Sequence, residues 1–247
     1  MIIDHHNHLW VGESTGEGFL EVSMTIEGIL REMDVAGIDL AGVCTIAQDV
    51  NNEYIIEAQR RHPDRLFGYA FVNPRDKNAA AQLRQLLDAG LQGLKLHPRL
   101  HAFALGNLEM VGPLMEICVE YKVPVFAHGT SNEEFNRPFH FEELAKAYPN
   151  VPILYGHMGA FNAVDEAILV AKRNPNVYLD TSTAAYFEVK EALKVLGPDK
   201  LMMSTDWPGN DFRLEVLKIE LMTEDDPQAR SKIMGDNYAK LMEHYQK

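Results

Sequence analysis

The chain has only two cysteines in 247 residues, Cys44 and Cys118. They are far apart and sit in apolar stretches, "AGVCTIA" and "LMEICVEYK". A disulfide scaffold or a paired redox motif is therefore excluded, and the reading is two buried, reduced thiols in a cytoplasmic protein. Basic residues are also scarce, 23 against 36 acidic ones, for a formal net charge of -13. That balance argues against nucleic acid and anionic membrane surfaces as partners, since both need a basic field. A small anionic substrate stays allowed, because a metal ion and a few local cations override the overall field at contact distance. No apolar run approaches the roughly 20 residues that span a bilayer, and no charged segment with an apolar core precedes Asp4. The glycine-rich phosphate turn of an open doubly wound sheet is missing too. There is no fixed-period repeat, low-complexity tract or linker, so residues 1–247 are expected to form one domain.

What is present is alternation. Hydrophobic residues make up 46% and charged residues 24%, the profile of a soluble globular domain. Short apolar runs predict strands at 2–8, 40–46, 66–72, 93–97, 124–128, 152–157, 177–182 and 201–206. Amphipathic stretches such as "TIEGILREMDVAG", "NAAAQLRQLLDAG" and "EVKEALKVLG" fall between them, with glycine just past several helical ends. Eight strand–helix units in a chain of this length predict an α/β fold, a (β/α)8 TIM barrel. The segment from Phe212 to Lys247 reads as closing helices, with "GDNYAKLMEHY" completing the outer helical ring. Two connections, 9–24 and 129–139, are long enough to be lids over the carboxyl ends of the strands, where barrel active sites lie.

The chemistry gathers at those carboxyl ends. In "IIDHHNHLW" alternate residues share a face, so His6 and His8, about 6.6 Å apart along the strand, both point inward. His5 and Asn7 are then expected to face the helices, with Asp4 one step deeper on the inner face, orienting a ligand. A lone H-x-H is weak, but the fourth predicted strand ends in Lys95 and His97, the fifth in His128, the sixth in His157 and the eighth in Asp206. A purely structural barrel fills these layers with Val, Ile and Leu. Five strand ends bearing metal-type or acid–base side chains point instead to a shared metal site.

These residues carry a resemblance. "DHHNH", "GLKLHP", "FAHG", "GHMGA", "STDWP" and the terminal "GDNYAKLM", in this order, resemble the amidohydrolase superfamily over essentially the whole chain, within it the branch similar to aminocarboxymuconate-semialdehyde decarboxylase. The resemblance implies a distorted barrel holding a catalytic divalent metal, commonly Zn²⁺, through His6, His8, His128 and Asp206. It also implies that His157 acts on substrate or water. Imidazole and carboxylate suit Zn²⁺, and an incomplete protein shell leaves room for a water whose pKa the ion lowers to about 7. Asp206 is then the catalytic base and His157 the group that holds or polarises a substrate oxygen. Binuclear members carry a carboxylated lysine at the Lys95 position, bridging two ions. One ion per chain is favoured here, with two as the alternative if Lys95 is carboxylated.

Lys95, His97 and Arg99 are candidate substrate contacts, Arg99 by a bidentate grip on a carboxylate or else as an ordinary surface arginine. Asp180 and Ser182 in "YLDTST" read better as a strand end leading to a helix cap, and His101 as structural. The leading expectation is a metal-dependent hydrolase of an amide, ester or lactone bond in a small, carboxylated molecule. Its rival is a non-oxidative decarboxylase, a carbon–carbon lyase acting on an unsaturated or aromatic acid through the same metal site. A third reading is a barrel that has lost activity and only binds. A homodimer is compatible with the sequence, which contains nothing that decides it.

Overall fold

The computed structural model describes residues 1–11, 23–130 and 134–245. Most of the first predicted lid, and residues 131–133 of the second, lie outside them. Nine strand segments are found among the described residues: β1 (Ile3–Leu9), β2 (Leu40–Thr45), β3 (Leu66–Gly68), β4 (Ala70–Phe71), β5 (Leu94–Leu96), β6 (Val125–Ala127), β7 (Ile153–Tyr155), β8 (Val177–Asp180) and β9 (Leu201–Met202). All pair in parallel, in the orders β1-β2-β3 and β4 through β9. The third predicted strand is thus interrupted at Tyr69, yet the ladder is bridged there. Tyr69 N donates to Val43 O (2.9 Å) and Ala70 N to Gly93 O (2.8 Å). The ring is completed beyond β9, where Asp206 N donates to His6 O (2.9 Å) and His8 N to Trp207 O (2.8 Å). The predicted TIM-barrel fold is the fold found.

Helices separate the strands as the apolar spacing predicted. In α1 (Ile26–Ala36), Thr25 caps the start by accepting from Gly28 N (3.1 Å). Gly37 ends it with φ 74°, a conformation glycine adopts without a steric penalty. One large apolar core lies between strands and helices. A second, smaller core fills the barrel itself, built from Ile3, Cys44, Phe67, Tyr69, Phe126, Leu154 and Met202.

The C-terminal helix (Asn237–Tyr245) differs from expectation. It contributes Tyr238 and Leu241 to the inner core instead of joining the outer ring. The Tyr238 ring stacks on Phe67 (5.0 Å between centroids) and on His5 (5.6 Å), and its hydroxyl bonds that of Tyr69 (2.8 Å). The helix closes the floor of the barrel, a role its amphipathic pattern alone does not distinguish from outer packing.

Strand β1 corrects a second expectation. Asp4 pairs with Ala41 but Asn7 with Val43, so β1 carries one residue more than β2 over this interval, a β-bulge. The extra residue lets His5 and His6 both face the interior: the Phe126 ring lies 5.3 Å from the one and 4.2 Å from the other. Asp4 is correspondingly not an inner-face partner of an imidazole. Its carboxylate accepts from Asn7 Nδ2 (3.0 Å), from the His6 backbone N–H (3.1 Å) and from the Thr205 hydroxyl, and so supports His6 through the main chain.

Candidate metal centre

The predicted strand ends meet on one rim. His6 Nε2 and His8 Nε2 each lie 3.1 Å from Asp206 Oδ1, and the three side chains form a cluster able to hold a metal ion. The opposite ring nitrogens are tied back. His6 Nδ1 is 2.9 Å from the Asp180 carboxylate and His8 Nδ1 is 3.1 Å from Thr45 O. Both partners only accept hydrogen bonds, so each Nδ1 carries a proton, and Nε2 is the nitrogen each ring can offer to a metal once its own proton is displaced. At these separations the three atoms need either a proton or a cation between them, and two imidazoles with a carboxylate are a donor set that fits a divalent ion.

Electrostatics give the same demand for positive charge. Burial alone would raise the Asp206 carboxyl, but His6 and His8 beside it hold it well below the usual range. Burial pushes the His8 imidazole down, yet the Cys44 thiol and Asp206 more than reverse this, raising it to about 10. Lys95 is fully buried, its Nζ 3.3 Å from His6 Nε2 and 3.5 Å from the Phe126 ring centroid, and burial lowers its pKa.

His128, the fourth expected ligand, lines the same cavity but lies outside the three-residue donor cluster, and His157 stands against it. His157 Nε2 is 3.0 Å from His128 Nδ1, while His157 Nδ1 approaches the hydroxyls of Ser182 (2.9 Å) and Thr183 (3.2 Å). His157 thus meets His128 through Nε2 and also lies directly against His6, with 5.0 Å between ring centroids. Burial lowers His157 to about 4 and His128 well below its ordinary value, so both rings are neutral at pH 7. His97 stacks on His128, with 3.9 Å between centroids. Strand β7 ends early because His157 (φ 59°) and Met158 (φ 42°) take left-handed backbone; Asp206 (φ 63°) does the same after β9. Non-glycine residues rarely hold this conformation, and its cost is tolerated most often at functional sites.

A cavity of about 240 Å³ opens over the rim, lined by His8, Lys95, His97, His128 and Asp206 together with apolar Met24, Ile46 and Leu100. His6 and His157 lie beneath it. Arg99 sits on the exposed turn after β5, outside this lining. A larger groove of about 1020 Å³ lies beside Cys118 and Lys240, away from the histidines, so volume is no guide to the chemistry here.

The residues missed from sequence are Asp180, Ser182 and Asn136. Asp180 and Ser182, read as a helix cap, bond His6 and His157 instead. Asn136 donates to His128 O (3.0 Å). Asp180 did carry a signal, standing at a strand end level with the other site residues.

Barrel and rim together define a TIM-barrel enzyme with a metal-type site. The amidohydrolase family model matches residues 3–242, and the chain belongs to this metal-dependent enzyme family. None of the curated proteins matches it in sequence. Among solved structures, it is similar to a TIM-barrel protein of Bordetella bronchiseptica, at 19% identity and TM-score 0.81, covering 100% of this chain and 99% of that one. It is also similar to a probable 2-pyrone-4,6-dicarboxylic acid hydrolase of Acinetobacter baumannii with citric acid bound, at 16% identity and TM-score 0.72, covering 98% and 99%. A third is 5-carboxyvanillate decarboxylase of Novosphingobium aromaticivorans with manganese and a nitrobenzoic acid, at 17% identity and TM-score 0.76, covering 98% and 96%. No helix among the described residues is long and apolar enough to cross a membrane.

Proposed function

We propose that the protein is a metal-dependent hydrolase acting on an amide, ester or lactone bond of a small carboxylated molecule. His6, His8, His128 and Asp206 would hold one divalent ion, Zn²⁺ by the chemistry of the donors. The observation that carries the reading is the convergence of His6 Nε2 and His8 Nε2 on one Asp206 oxygen, with each Nδ1 hydrogen-bonded to an acceptor behind it. When bound, such an ion supplies Lewis-acid polarisation of a substrate oxygen and acidifies water.

The protein's own groups supply the rest. Asp206, held ionised at the edge of the cavity, takes the proton of the attacking water and returns it to the leaving group. Lys95 and His97 line the same cavity, Lys95 as the cation for a substrate carboxylate. His157 holds His128 in place, its Nε2 being directed there and not to the cavity. Met24, Ile46 and Leu100 provide apolar wall and limit water access. One ion is the reading for this site. A carboxylated Lys95 bridging a second would appear as added mass in the intact protein.

The test is turnover of the chelator-treated protein before and after reloading with Zn²⁺ or Mn²⁺, on panels of lactones, esters, amides and aromatic carboxylic acids. Metal-restored hydrolysis supports the proposal. Metal-restored carbon dioxide release without hydrolysis would replace it with the decarboxylase reading, the reaction in the name of the manganese-containing structure of similar fold. Tight metal binding without turnover of any panel member would favour a barrel that only binds.

A further inference from the structure

We infer that Asp180 is a positioning residue whose one carboxylate sets the tautomers of three histidines, His6, His157 and His128, and so directs both His6 and His128 to present Nε2 to the metal. The inference rests on the metal-site reading above and adds to it the device that orders the donors.

Asp180 ends β8 and is fully buried. Its Oδ2 is 2.9 Å from His6 Nδ1. Its Oδ1 accepts from Ser182 N (2.8 Å) and from the Ser182 hydroxyl. A carboxylate accepts and does not donate, so the His6 proton is on Nδ1. Ser182 has a single hydroxyl hydrogen, and this is given to Asp180. Toward His157 Nδ1, 2.9 Å away, the Ser182 oxygen is therefore an acceptor, and His157 carries its proton on Nδ1. The Thr183 hydroxyl, 3.2 Å from the same nitrogen, can donate as well as accept, so it is Ser182 that fixes the proton there. His157 Nε2 is left with a lone pair 3.0 Å from His128 Nδ1, which must then be the donor. The His128 lone pair consequently falls on Nε2. The order of protons runs outward from the carboxylate, through one hydroxyl and two imidazoles.

Two contacts lie outside this order. Ser182 Oγ is also 3.4 Å from His6 Nδ1, a weaker second acceptor for the same proton. His5 Nε2 is 3.5 Å from Asp180 Oδ2, and neither nitrogen of His5 makes a hydrogen bond among the described residues, so His5 does not disturb the assignment. An amide at position 180 would break the order, because its nitrogen would turn a donor toward either the His6 N–H or the Ser182 N–H and hydroxyl.

The test compares wild-type protein with D180N, S182A and S182T by two readouts. Co²⁺ titration, followed by its visible absorption and by competition with a chelator, measures donor ordering. Long-range ¹⁵N NMR of the imidazoles in metal-free protein reports which ring nitrogen holds each proton. Wild type is expected to show Nδ1–H on His6, His128 and His157. D180N is expected to lose about 10- to 100-fold in Co²⁺ affinity, the usual range for removing an outer partner of a metal-bound histidine. S182A should keep the His6 tautomer, change those of His157 and His128, and shift the cobalt bands; S182T, which retains the hydroxyl, should restore both. D180N binding Co²⁺ as tightly as wild type, or S182T behaving as S182A, would overturn the inference. If D180N fails to fold, the S182A and S182T pair decides. If wild type binds no Co²⁺ the metal reading falls instead, and the ring tautomers of the metal-free protein still decide the proton order.

Discussion

The floor of the barrel offers a quantitative test of how the C-terminal helix is placed. Tyr69 and Tyr238 are both buried, and their hydroxyls, 2.8 Å apart, satisfy one another. Replacing either by phenylalanine removes one hydroxyl and strands the other without water. A buried polar group left unpaired costs about 1–3 kcal/mol, whereas removing both partners together is close to neutral. For a chain of this size, 1 kcal/mol corresponds to a shift of about 2–4 °C in Tm. Tyr69→Phe and Tyr238→Phe are each expected to lower Tm by several degrees, and the double variant to lower it by less than the sum. The assay is urea and thermal unfolding of the four proteins under reversible conditions, read as a double-mutant cycle with a coupling of about 1–2 kcal/mol. Additive effects, or single variants as stable as wild type, would refute the placement of the C-terminal helix beneath the barrel.

Further outcomes follow from other sites. Glu215 is buried against Lys218 (2.6 Å), and burial raises its carboxyl to about 8 despite that ammonium. The folded protein then holds a proton there that the unfolded chain has released, from about pH 5 up to about 8, so Glu215 stabilises most at low pH and its contribution fades as pH rises through 8. The Tm of wild type relative to Glu215→Gln, whose amide mimics the protonated carboxyl, is expected to fall between pH 5 and pH 9; a constant difference would contradict the assignment. At Gly42, a Cβ would lie 2.6 Å from His5 O and 2.5 Å from the Phe67 ring, so Gly42→Ala is expected to cost about 1–3 kcal/mol by denaturant unfolding. Asn136→Ala removes the donor to His128 O, and is expected to weaken metal binding in a competition titration while leaving Tm within a few degrees of wild type.

Much of this was legible in the chain because barrel periodicity and strand-end chemistry are both local patterns. The alternating apolar runs placed the barrel, and the positions of His6, His8, Lys95, His128 and Asp206 at strand ends brought them to one rim. Strict alternation failed in β1, where a bulge turns His5 inward beside His6. No residue type announces such a bulge. Asp180 was misread because D-x-S at a strand end has the same composition whether it caps a helix or orients two histidines; only the packing of β8 against β1 and β7 distinguishes them. His157 was placed on the rim by position alone. The left-handed turn at His157 and Met158 sets its ring behind His128, and backbone of that kind leaves little trace in a non-glycine sequence. For Arg99 a carboxylate grip and a surface arginine were equally compatible with the sequence, and the turn after β5 carries it outside the cavity lining.

Elemental analysis of protein purified without chelator, beside the His6→Ala, His8→Ala double variant, tests the central claim most directly. A single divalent ion per chain in wild type and almost none in the double variant is the predicted result. Wild-type protein without metal, or a double variant that retains as much as wild type, would contradict it.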